Sequence, residues 1–319
     1  MIRLKGTGYL GLQHHSSYQK AVTQGMSLFG VNNPQSRNNP GDFAPLEAVE
    51  ASLVEDWKTD WARLLPNGFL AGLVMRDIAD KSGCSVYVDP RGHRCYSRNS
   101  DELRPEPMGD YFFLVDAADP MSGHAHWLTD PNMNQDLRGA AWVAVDMSHA
   151  FGLWEPEVFW KHWPIPLERT FLFGSLGKAT AFPAGFILGP KGWEHLLTRH
   201  PAFTTAAPPA NAHAHAYLET AQLKAELRTR LWRHWDTFVQ KLSWPLPRPR
   251  APVVDLALDS EAHRRLIASG IEIGALAYPD ALGPRRYRAA FDASLSSGQW
   301  DKIAQEFGSL NIKPHLPEY

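Results

Sequence analysis

The chain has 319 residues, of which 44% are hydrophobic, and a formal net charge of −2. Because it has no long basic run, nothing in its charge pattern favours binding to nucleic acid or to an anionic membrane. No apolar stretch approaches the roughly 20 residues of a transmembrane helix, and the N-terminal residues lack the apolar segment of a signal peptide. The two cysteines, Cys84 and Cys95, cannot staple a chain of this size, so we expect a cytoplasmic protein with a large core.

Two helices are predicted near the start of the chain. Residues 44–64 should form the first, because apolar side chains recur there at helical spacing: Leu46, Val49, Leu53, Val54, Trp57, Trp61 and Leu64. Residues 68–80 should form the second, with Asn67 as its N-cap. Its first turn contains Gly68 and Phe69, whose backbone N–H groups can attract an anion, although most helix starts bind only water.

The middle of the chain contains short apolar runs that resemble buried strands. They are SVYVD (85–89), YFFLVD (111–116), WVAVD (142–146), FLFGS (171–175) and AGFILG (184–189). Runs of this kind, separated by helices or loops, predict an α/β fold with a mostly parallel sheet. Because ligands gather at the carboxyl ends of such strands, the polar residues that end these runs are candidates for chemistry.

The last third of the chain is predicted to be a smaller α+β unit. A long amphipathic helix over residues 209–242 leads into a proline-rich connector at 243–252. The unit itself comprises strands at 253–258, 271–276 and 286–291 and helices near 260–269 and 298–307. We therefore expect an N-terminal segment (1–40), a large domain (41–208), and a connecting helix with a small domain (209–319).

One lysine lies in a glycine-flanked loop between two predicted strands, in the sequence FLFGSLGKATAFPAGFILG. Partial desolvation there would lower the pKa of Lys178 and favour the neutral, nucleophilic amine. Ser175, three residues earlier, offers a hydroxyl to an anion. The alternative is a surface-loop lysine, which is the usual role of an isolated lysine.

Two further segments place ionisable residues at strand ends. Asp146 ends a buried strand, and an unpaired buried carboxylate is costly, so a partner is needed. A pyridinium nitrogen would suit, since the carboxylate would keep the ring protonated and electron-withdrawing. A structural pair with His149, or a helix cap, is the alternative. His93 follows another strand and could lie flat on an aromatic cofactor, or be solvated.

Eight segments, in order, resemble the α-oxoamine synthase branch of the fold-type I pyridoxal phosphate (PLP) enzymes. They are GYLGL (8–12), SRNNPGDFAPLE (36–47), NGFLAG (67–72), DPRGH (89–93), VDMSHAFG (145–152), GSLGKA (174–179), TTAAPP (204–209) and GPRRYR (283–288). The resemblance extends from about residue 7 to the C-terminal helix. It implies an aminotransferase-like large domain, a smaller C-terminal domain, and PLP as cofactor.

The resemblance also assigns roles around the cofactor ring. Lys178 matches the lysine that forms the Schiff base with PLP, and Asp146 matches the carboxylate on the pyridine nitrogen. His149 matches the histidine near the phenolic oxygen of the cofactor. His93 matches the histidine that stacks on the ring.

Other matches concern the phosphate group of the cofactor. Gly68, Phe69 and Ser175 match phosphate-binding positions, next to the predicted cap Asn67. Thr205 matches a hydroxyl residue that reaches the phosphate of the neighbouring subunit. The resemblance therefore implies a homodimer.

The substrate side matches less well. Arg288, or alternatively Arg286, matches the arginine that grips a substrate carboxylate with two hydrogen bonds. The family's glycine-rich stretch is VNNPQ here (31–35), Phe43 replaces a histidine, and Pro120 stands where a serine would contact the cofactor. The chain also begins after the point at which the family has an N-terminal arm. These departures leave the residues that match cofactor-binding positions intact and alter the substrate side, so they bear on the acyl-CoA condensation more than on PLP binding.

Metal and serine-hydrolase chemistry find little support. His213 and His215 would point to different sides of a helix. His124 and His126 could share a strand face, but no third ligand stands at a suitable spacing, and zinc needs about three or four. No Gly-x-Ser-x-Gly segment is present.

Three functions therefore remain open. The first is a PLP transferase that joins a small amino acid to an acyl-CoA or acyl carrier donor, with Lys178 as acid and base at Cα and His149 or His93 assisting at the acyl group. The second is an aminotransferase with the same anchors. The third is a non-catalytic relative that keeps the cofactor for a structural or regulatory role.

Overall fold

The computed structural model describes residues 1–39, 41–97, 110–246, 248–278 and 283–316. The strands are β1 (Ile2–Leu4), β2 (Trp61–Leu65), β3 (Ser85–Val88), β4 (Tyr111–Asp116), β5 (Trp142–Asp146), β6 (Thr170–Ser175), β7 (Gly185–Gly189), β8 (Val253–Ala257), β9 (Ile271–Ala277), β10 (Arg285–Ala290) and β11 (Lys313–Pro314). The helices are α1 (Ser16–Phe29), α2 (Ala44–Trp57), α3 (Gly68–Asp80), α4 (His126–Thr129), α5 (Pro131–Gly139), α6 (Pro156–His162), α7 (Glu194–Thr198), α8 (Pro201–Thr204), α9 (Asn211–Glu219), α10 (Ala221–Leu242), α11 (Ser260–Ala268) and α12 (Ser297–Ser309). Within the described residues, no helix is both long and apolar enough to cross a bilayer.

The larger sheet confirms the predicted α/β architecture. Its strands lie in the order β2-β7-β6-β5-β4-β3, and the pairs β3–β4, β4–β5 and β5–β6 are parallel. β7 runs antiparallel to both β2 and β6. The parallel strands therefore bring Asp116, Asp146 and Ser175, which end β4, β5 and β6, to one edge of the sheet.

Apolar layers cover both faces of this sheet, as expected for parallel strands buried on both sides. On one face, Val74 and Met75 of α3 share a buried cluster with Phe112 and Phe171 of the sheet. On the other face, a larger cluster includes Trp127 from α4, among many side chains from the helices and from the smaller sheet. The carboxyl ends of the strands are thereby held on a rigid base.

The first predicted helix is shorter than expected. It ends at Trp57, Lys58 adopts a left-handed conformation (φ 58°), and Trp61 begins strand β2. The error arose because the apolar residues of a short edge strand can continue a helical spacing by chance. β2 pairs with β7 along its whole length, and the Trp61 indole N–H donates to Pro190 O at 2.8 Å.

The predicted long helix over 209–242 is in fact two helices. It breaks at Thr220, where the backbone (φ −106°, ψ 23°) leaves the helical region. The Thr220 hydroxyl donates to Ala216 O, which satisfies a carbonyl at the end of α9. Because α9 packs against α1 and α2 whereas α10 packs against α12, packing and not periodicity decides where the break falls.

The smaller sheet has the strand order β1-β9-β10-β8-β11. β9, β10 and β8 are antiparallel neighbours, as the predicted α+β unit requires, whereas β1 pairs in parallel with β9. A three-residue strand such as β1 gives too short a pattern to be predicted. Its pairing anchors the start of the chain, so that the residues just after it run towards the edge of the larger sheet that carries Asp146.

Candidate active site

A cavity of about 220 Å³ lies at the carboxyl ends of β4, β5 and β6. The predicted site residues that line it are Gly68, Phe69, His93, Asp146, His149, Ser175 and Lys178. Cys95, Asp116, Pro120 and Ser148 also line it. Two larger clefts, of about 520 and 480 Å³, contain none of the four predicted catalytic residues.

An anion site is formed where α3 begins. Asn67 caps the helix, and its side-chain oxygen accepts from Leu70 N at 2.8 Å. The N–H groups of Gly68 and Phe69 have no hydrogen-bond partner among the described residues, so they remain available to an anion. A Cβ at Gly68 would lie 2.4 Å from Cβ of Ser175, so only glycine lets the helix start approach β6 this closely.

Hydrogen bonds at the strand ends hold Asp146 in place. Its Oδ1 accepts from Ser148 N at 2.8 Å, and the Ser148 hydroxyl accepts from Ser175 N at 3.0 Å. Gly174 makes this approach possible, because it has φ 147° and a Cβ there would lie 2.8 Å from Ser148 N. Among the described residues, no hydrogen bond reaches the second carboxylate oxygen of Asp146, which is therefore available to a ligand.

Lys178 belongs to a hydrogen-bonded line of three side chains. Its Nζ lies 2.7 Å from Nε2 of His149, and Nδ1 of the same ring lies 2.6 Å from the hydroxyl of Tyr9. Tyr9 is fully buried. Tyr9 lies within the motif GYLGL, but no local pattern predicts a role for it, since nothing local links it to a histidine 140 residues away.

Burial dominates the electrostatics of this line. It lowers the pKa of Lys178, although the carboxylates of Asp146 and Asp116 oppose the shift. Burial also holds the pKa of His149 well below its usual value, and the positive charges of Lys178 and Arg288 lower it further. The lysine therefore favours the neutral amine that the sequence predicts, next to a neutral imidazole.

Asp116, at the end of β4, is a further residue of the site. β4 and β5 pair it directly with Asp146, and its Oδ1 accepts from the Tyr96 hydroxyl at 2.8 Å. Its Oδ2 is buried without a hydrogen-bond partner among the described residues. Burial, and then the charge of Asp146, raise the pKa of Asp116 well above its usual value, which favours the neutral acid. The only signal in the sequence was its place at the end of a strand.

His93 lines the cavity as predicted. Its Nδ1 accepts from Cys95 N at 3.2 Å, which sets the direction of the ring. Burial lowers the pKa of His93, against the effect of Asp146. The ring therefore also favours its neutral form.

Four predicted residues, Asn67, Thr205, Arg286 and Arg288, lie outside the cavity lining. Asn67 acts through its cap, as described above. Thr205 is exposed, and its hydroxyl donates to Pro201 O at 2.7 Å. Arg286 is paired with Asp255, whose Oδ2 accepts from its Nε at 3.0 Å.

Arg288 sits beside the cavity, on the same face of β10 as Arg286. Its Nη1 donates to the carbonyl of Pro120, a lining residue, at 3.0 Å, and its Nη2 donates to Lys5 O at 3.4 Å. Its Nε is buried without a hydrogen-bond partner among the described residues. The charge of Arg288 adds to the effect of burial in lowering the pKa of His149 and of Lys178.

Comparison with known proteins places this site in context. A family model described as "Aminotransferase class I and II" matches residues 137–307, more than half of the chain. An 8-amino-7-oxononanoate synthase from Methylobacterium radiotolerans is 28% identical and covers 95% of this chain and 86% of that protein. The enzyme of the same name from Dechloromonas aromatica is 26% identical and covers 97% and 89%.

Solved structures share the fold. Sphingomonas wittichii serine palmitoyltransferase gives a TM-score of 0.76 at 17% identity, covering 97% of this chain and 87% of that one. An 8-amino-7-oxononanoate synthase from Francisella tularensis gives a TM-score of 0.72 at 16% identity, covering 97% and 98%. These similarities confirm the predicted fold-type I architecture.

Proposed function

This chain belongs to the aminotransferase class I and II family, it is a PLP-dependent transferase, and we propose that it joins a small amino acid to an acyl group carried as a thioester. The observation that carries the proposal is the cavity in which a half-buried lysine, a strand-end carboxylate and the free N–H groups of a helix start converge. The curated relatives named above support acyl transfer, because they are named as synthases of an oxoamino acid.

The chemistry of the cavity fits PLP. The cofactor carries an aldehyde, a ring nitrogen and a phosphate, which require an amine, a carboxylate and an anion site respectively. Lys178 offers the amine, Asp146 has a carboxylate oxygen that lacks a hydrogen bond from the described residues, and the start of α3 offers two N–H groups. The carboxylate oxygen and the two N–H groups lack partners among the described residues, and the cofactor would supply them; the Lys178 amine contacts His149.

The bound cofactor supplies an electron-poor ring that can accept the electron pair released when Cα of an amino acid loses a substituent. Asp146 would keep the ring nitrogen protonated, because a carboxylate beside it favours the charged form. Lys178 would take up or return the proton at Cα, for which a neutral amine is needed. His149 and His93, both neutral, would donate hydrogen bonds next to the reacting atoms.

Arg288 is our candidate for binding the amino-acid carboxylate. Its guanidinium lies beside the cavity with a buried Nε that lacks a partner in the described part of the chain. A carboxylate would satisfy that donor and add charge. Arg286 is the weaker candidate, because Asp255 already holds it.

The test is a two-substrate assay on the holoenzyme. A panel of small amino acids is combined with acyl-CoA donors of increasing chain length, and free thiol is measured. The proposal predicts thiol release that requires both substrates. Formation of a keto acid from the amino acid, without thiol release, would instead identify an aminotransferase. Since the chain is a transferase of this family, nothing favours the non-catalytic hypothesis.

We also propose that the enzyme is a homodimer in which Thr205 serves the neighbouring subunit. Thr205 is exposed and does not line the cavity of its own chain, which supports this arrangement. Light scattering should give twice the mass of the 35.7 kDa chain. Replacement of Thr205 by Ala should weaken PLP binding without changing that mass.

A further inference from the structure

The side chains of Tyr9, His149 and Lys178 form a continuous hydrogen-bonded line, although within this line Lys178 itself contacts only His149. The two contacts of the line are short, at 2.6 and 2.7 Å, and they use both ring nitrogens of one histidine. A neutral imidazole carries one proton, so one ring nitrogen donates and the other accepts. The partner on one side therefore decides what the ring presents on the other.

The hydroxyl proton of Tyr9 determines which nitrogen of His149 carries a proton. The phenol of Tyr9 is fully buried, and burial raises its pKa, so the hydroxyl keeps its proton. His149 is the only hydrogen-bond partner of this hydroxyl among the described residues. If the ring donated from Nδ1, the phenol proton would be buried without an acceptor, which costs about 1–3 kcal/mol. The phenol must therefore donate to Nδ1.

We propose that Tyr9 is a positioning residue that holds the proton of His149 on Nε2, so that the ring faces Lys178 as a hydrogen-bond donor. The proposal rests on Lys178 being the reactive amine of the proposed function. A donor at 2.7 Å from Nζ needs a lone pair to accept it, and only the neutral amine has one. Tyr9 thus prepares the lysine for its reaction although it does not contact it.

Other charged groups near the line act on the amine independently of Tyr9. The titratable groups facing the amine are Asp146, Asp116 and Cys95, of which the carboxylate of Asp146 most favours protonated Lys178, whereas the charge of Arg288 disfavours it. His93 acts on the imidazole, where a positive charge would lower the pKa of His149 further. Substituting Tyr9 leaves all of these groups in place, so it isolates the effect of the tautomer.

The test uses the cofactor-free full-length chain and Tyr9→Phe, which keeps the ring and removes the hydroxyl. Histidine ¹⁵N chemical shifts report the tautomer of His149, with its signals assigned by their loss in His149→Asn. Capture of a small aldehyde by Lys178, trapped with borohydride and read by peptide mass at a series of pH values, reports the pKa of the amine. Tyr18→Phe is the matched control, since its buried hydroxyl donates to Ala181 O at 2.8 Å in the loop after Lys178.

The wild type should carry its proton on Nε2. In Tyr9→Phe the imidazole can change its tautomer, so that Nε2 accepts a hydrogen bond from a protonated Lys178. The pH midpoint for aldehyde capture should therefore rise by about one unit, which lowers the capture rate at neutral pH by about tenfold. Tyr18→Phe should match the wild type in both readouts. A wild-type proton on Nδ1, or an unchanged tautomer and midpoint in Tyr9→Phe, would overturn the proposal.

Two outcomes distinguish the role of Tyr9 from misfolding of the variant and from the proposed function. If Tyr9→Phe does not fold, the tautomer of the wild type alone decides, because the proposal requires Nε2–H there. If the wild type shows Nε2–H but Lys178 does not capture the aldehyde, the proposed function fails while the role of Tyr9 in orienting His149 stands.

Discussion

Asp116 and Asp146 lie side by side at the carboxyl ends of β4 and β5, paired in register. Only one of the two carboxyl groups has the backbone hydrogen bond that suits a carboxylate, since Ser148 N donates to Asp146. Asp116 instead receives the Tyr96 hydroxyl and has one oxygen without a partner within the described residues. The pair therefore divides into an acid and a carboxylate, as adjacent buried acids commonly do.

Asp116→Asn should stabilise the cofactor-free protein more at pH 8 than at pH 5. Because folding raises the pKa of Asp116, the folded state holds this proton more tightly than the unfolded state. That contribution is complete below the unfolded pKa and is lost as the pH rises towards the folded value. Asparagine still accepts from Tyr96 and has no proton to lose.

Urea unfolding at the two pH values measures this effect. The advantage of Asp116→Asn over the wild type should grow by about 1 kcal/mol or more between them. Asp301→Asn removes an exposed carboxyl that pairs with Lys241, and its effect should change little with pH. An equal advantage of Asp116→Asn at both pH values would show that Asp116 is ionised in the folded state.

Glu50 holds a buried cluster whose loss should be costly. It accepts from Arg37 at 2.6 Å, from Arg63 at 3.2 Å and from the backbone N–H of Leu64 at 2.8 Å. Glu50→Ala leaves the buried guanidinium of Arg37 without its carboxylate, so unfolding free energy should fall by about 3–5 kcal/mol. Denaturant unfolding measures this loss of unfolding free energy. Adding Arg37→Met to Glu50→Ala should recover much of the loss, and a double variant as unstable as the single one would contradict this account.

Gly68→Ala should weaken PLP binding far more than it weakens the binding of pyridoxal, which lacks the phosphate. The new Cβ would lie 2.4 Å from Cβ of Ser175, so the helix start must move away from its place beside β6. Equilibrium titration by absorbance gives both dissociation constants. The ratio of the dissociation constant for PLP to that for pyridoxal should rise by about tenfold or more.

The matched control is Gly298→Ala, in the first turn of α12, where a Cβ would meet nothing within 4 Å. That variant should keep the wild-type ratio of the two dissociation constants. If Gly68→Ala also keeps it, the phosphate is bound elsewhere.

Arg288→Ala should raise the dissociation constant for amino acids by about 10–100-fold, since a hydrogen bond to a charged group contributes about 1.5–3 kcal/mol. Arg288→Lys should lie in between, because it keeps the charge but not the paired donors. Spectral titration of the holoenzyme measures the affinity. Arg286→Ala is the control, because this arginine is occupied by Asp255; a larger effect there than in Arg288→Ala would reverse the assignment.

Local patterns predicted those parts of the structure that local chemistry determines. α3 spans the predicted residues because Asn67 caps it, and the five strands β3 to β7 follow from their apolar runs. The predicted lysine, carboxylate and histidines converge because parallel strands end at one edge. The break at Thr220 and strand β2 were missed, since tertiary packing and sheet pairing overrode a helical spacing.

The contacts that tune the site could not be predicted because they join distant residues. Tyr9 meets His149 across 140 positions only because β1 anchors the chain start in the smaller sheet. Burial at the end of β4, and then the charge of Asp146 on the neighbouring strand β5, raise the pKa of Asp116. Neither strand register nor burial can be read from one segment at a time.

The central claim is that PLP is captured by the amine of Lys178. Peptide mass mapping of the holoenzyme after borohydride reduction tests it most directly, and the chain contains its own control. Burial also lowers the pKa of Lys224, to about 7, but that lysine lies over the ring of Tyr217, outside the cavity. The account predicts the added mass of the cofactor on Lys178 and none on Lys224. Modification of Lys224 instead, or no modification with PLP in excess, would contradict it.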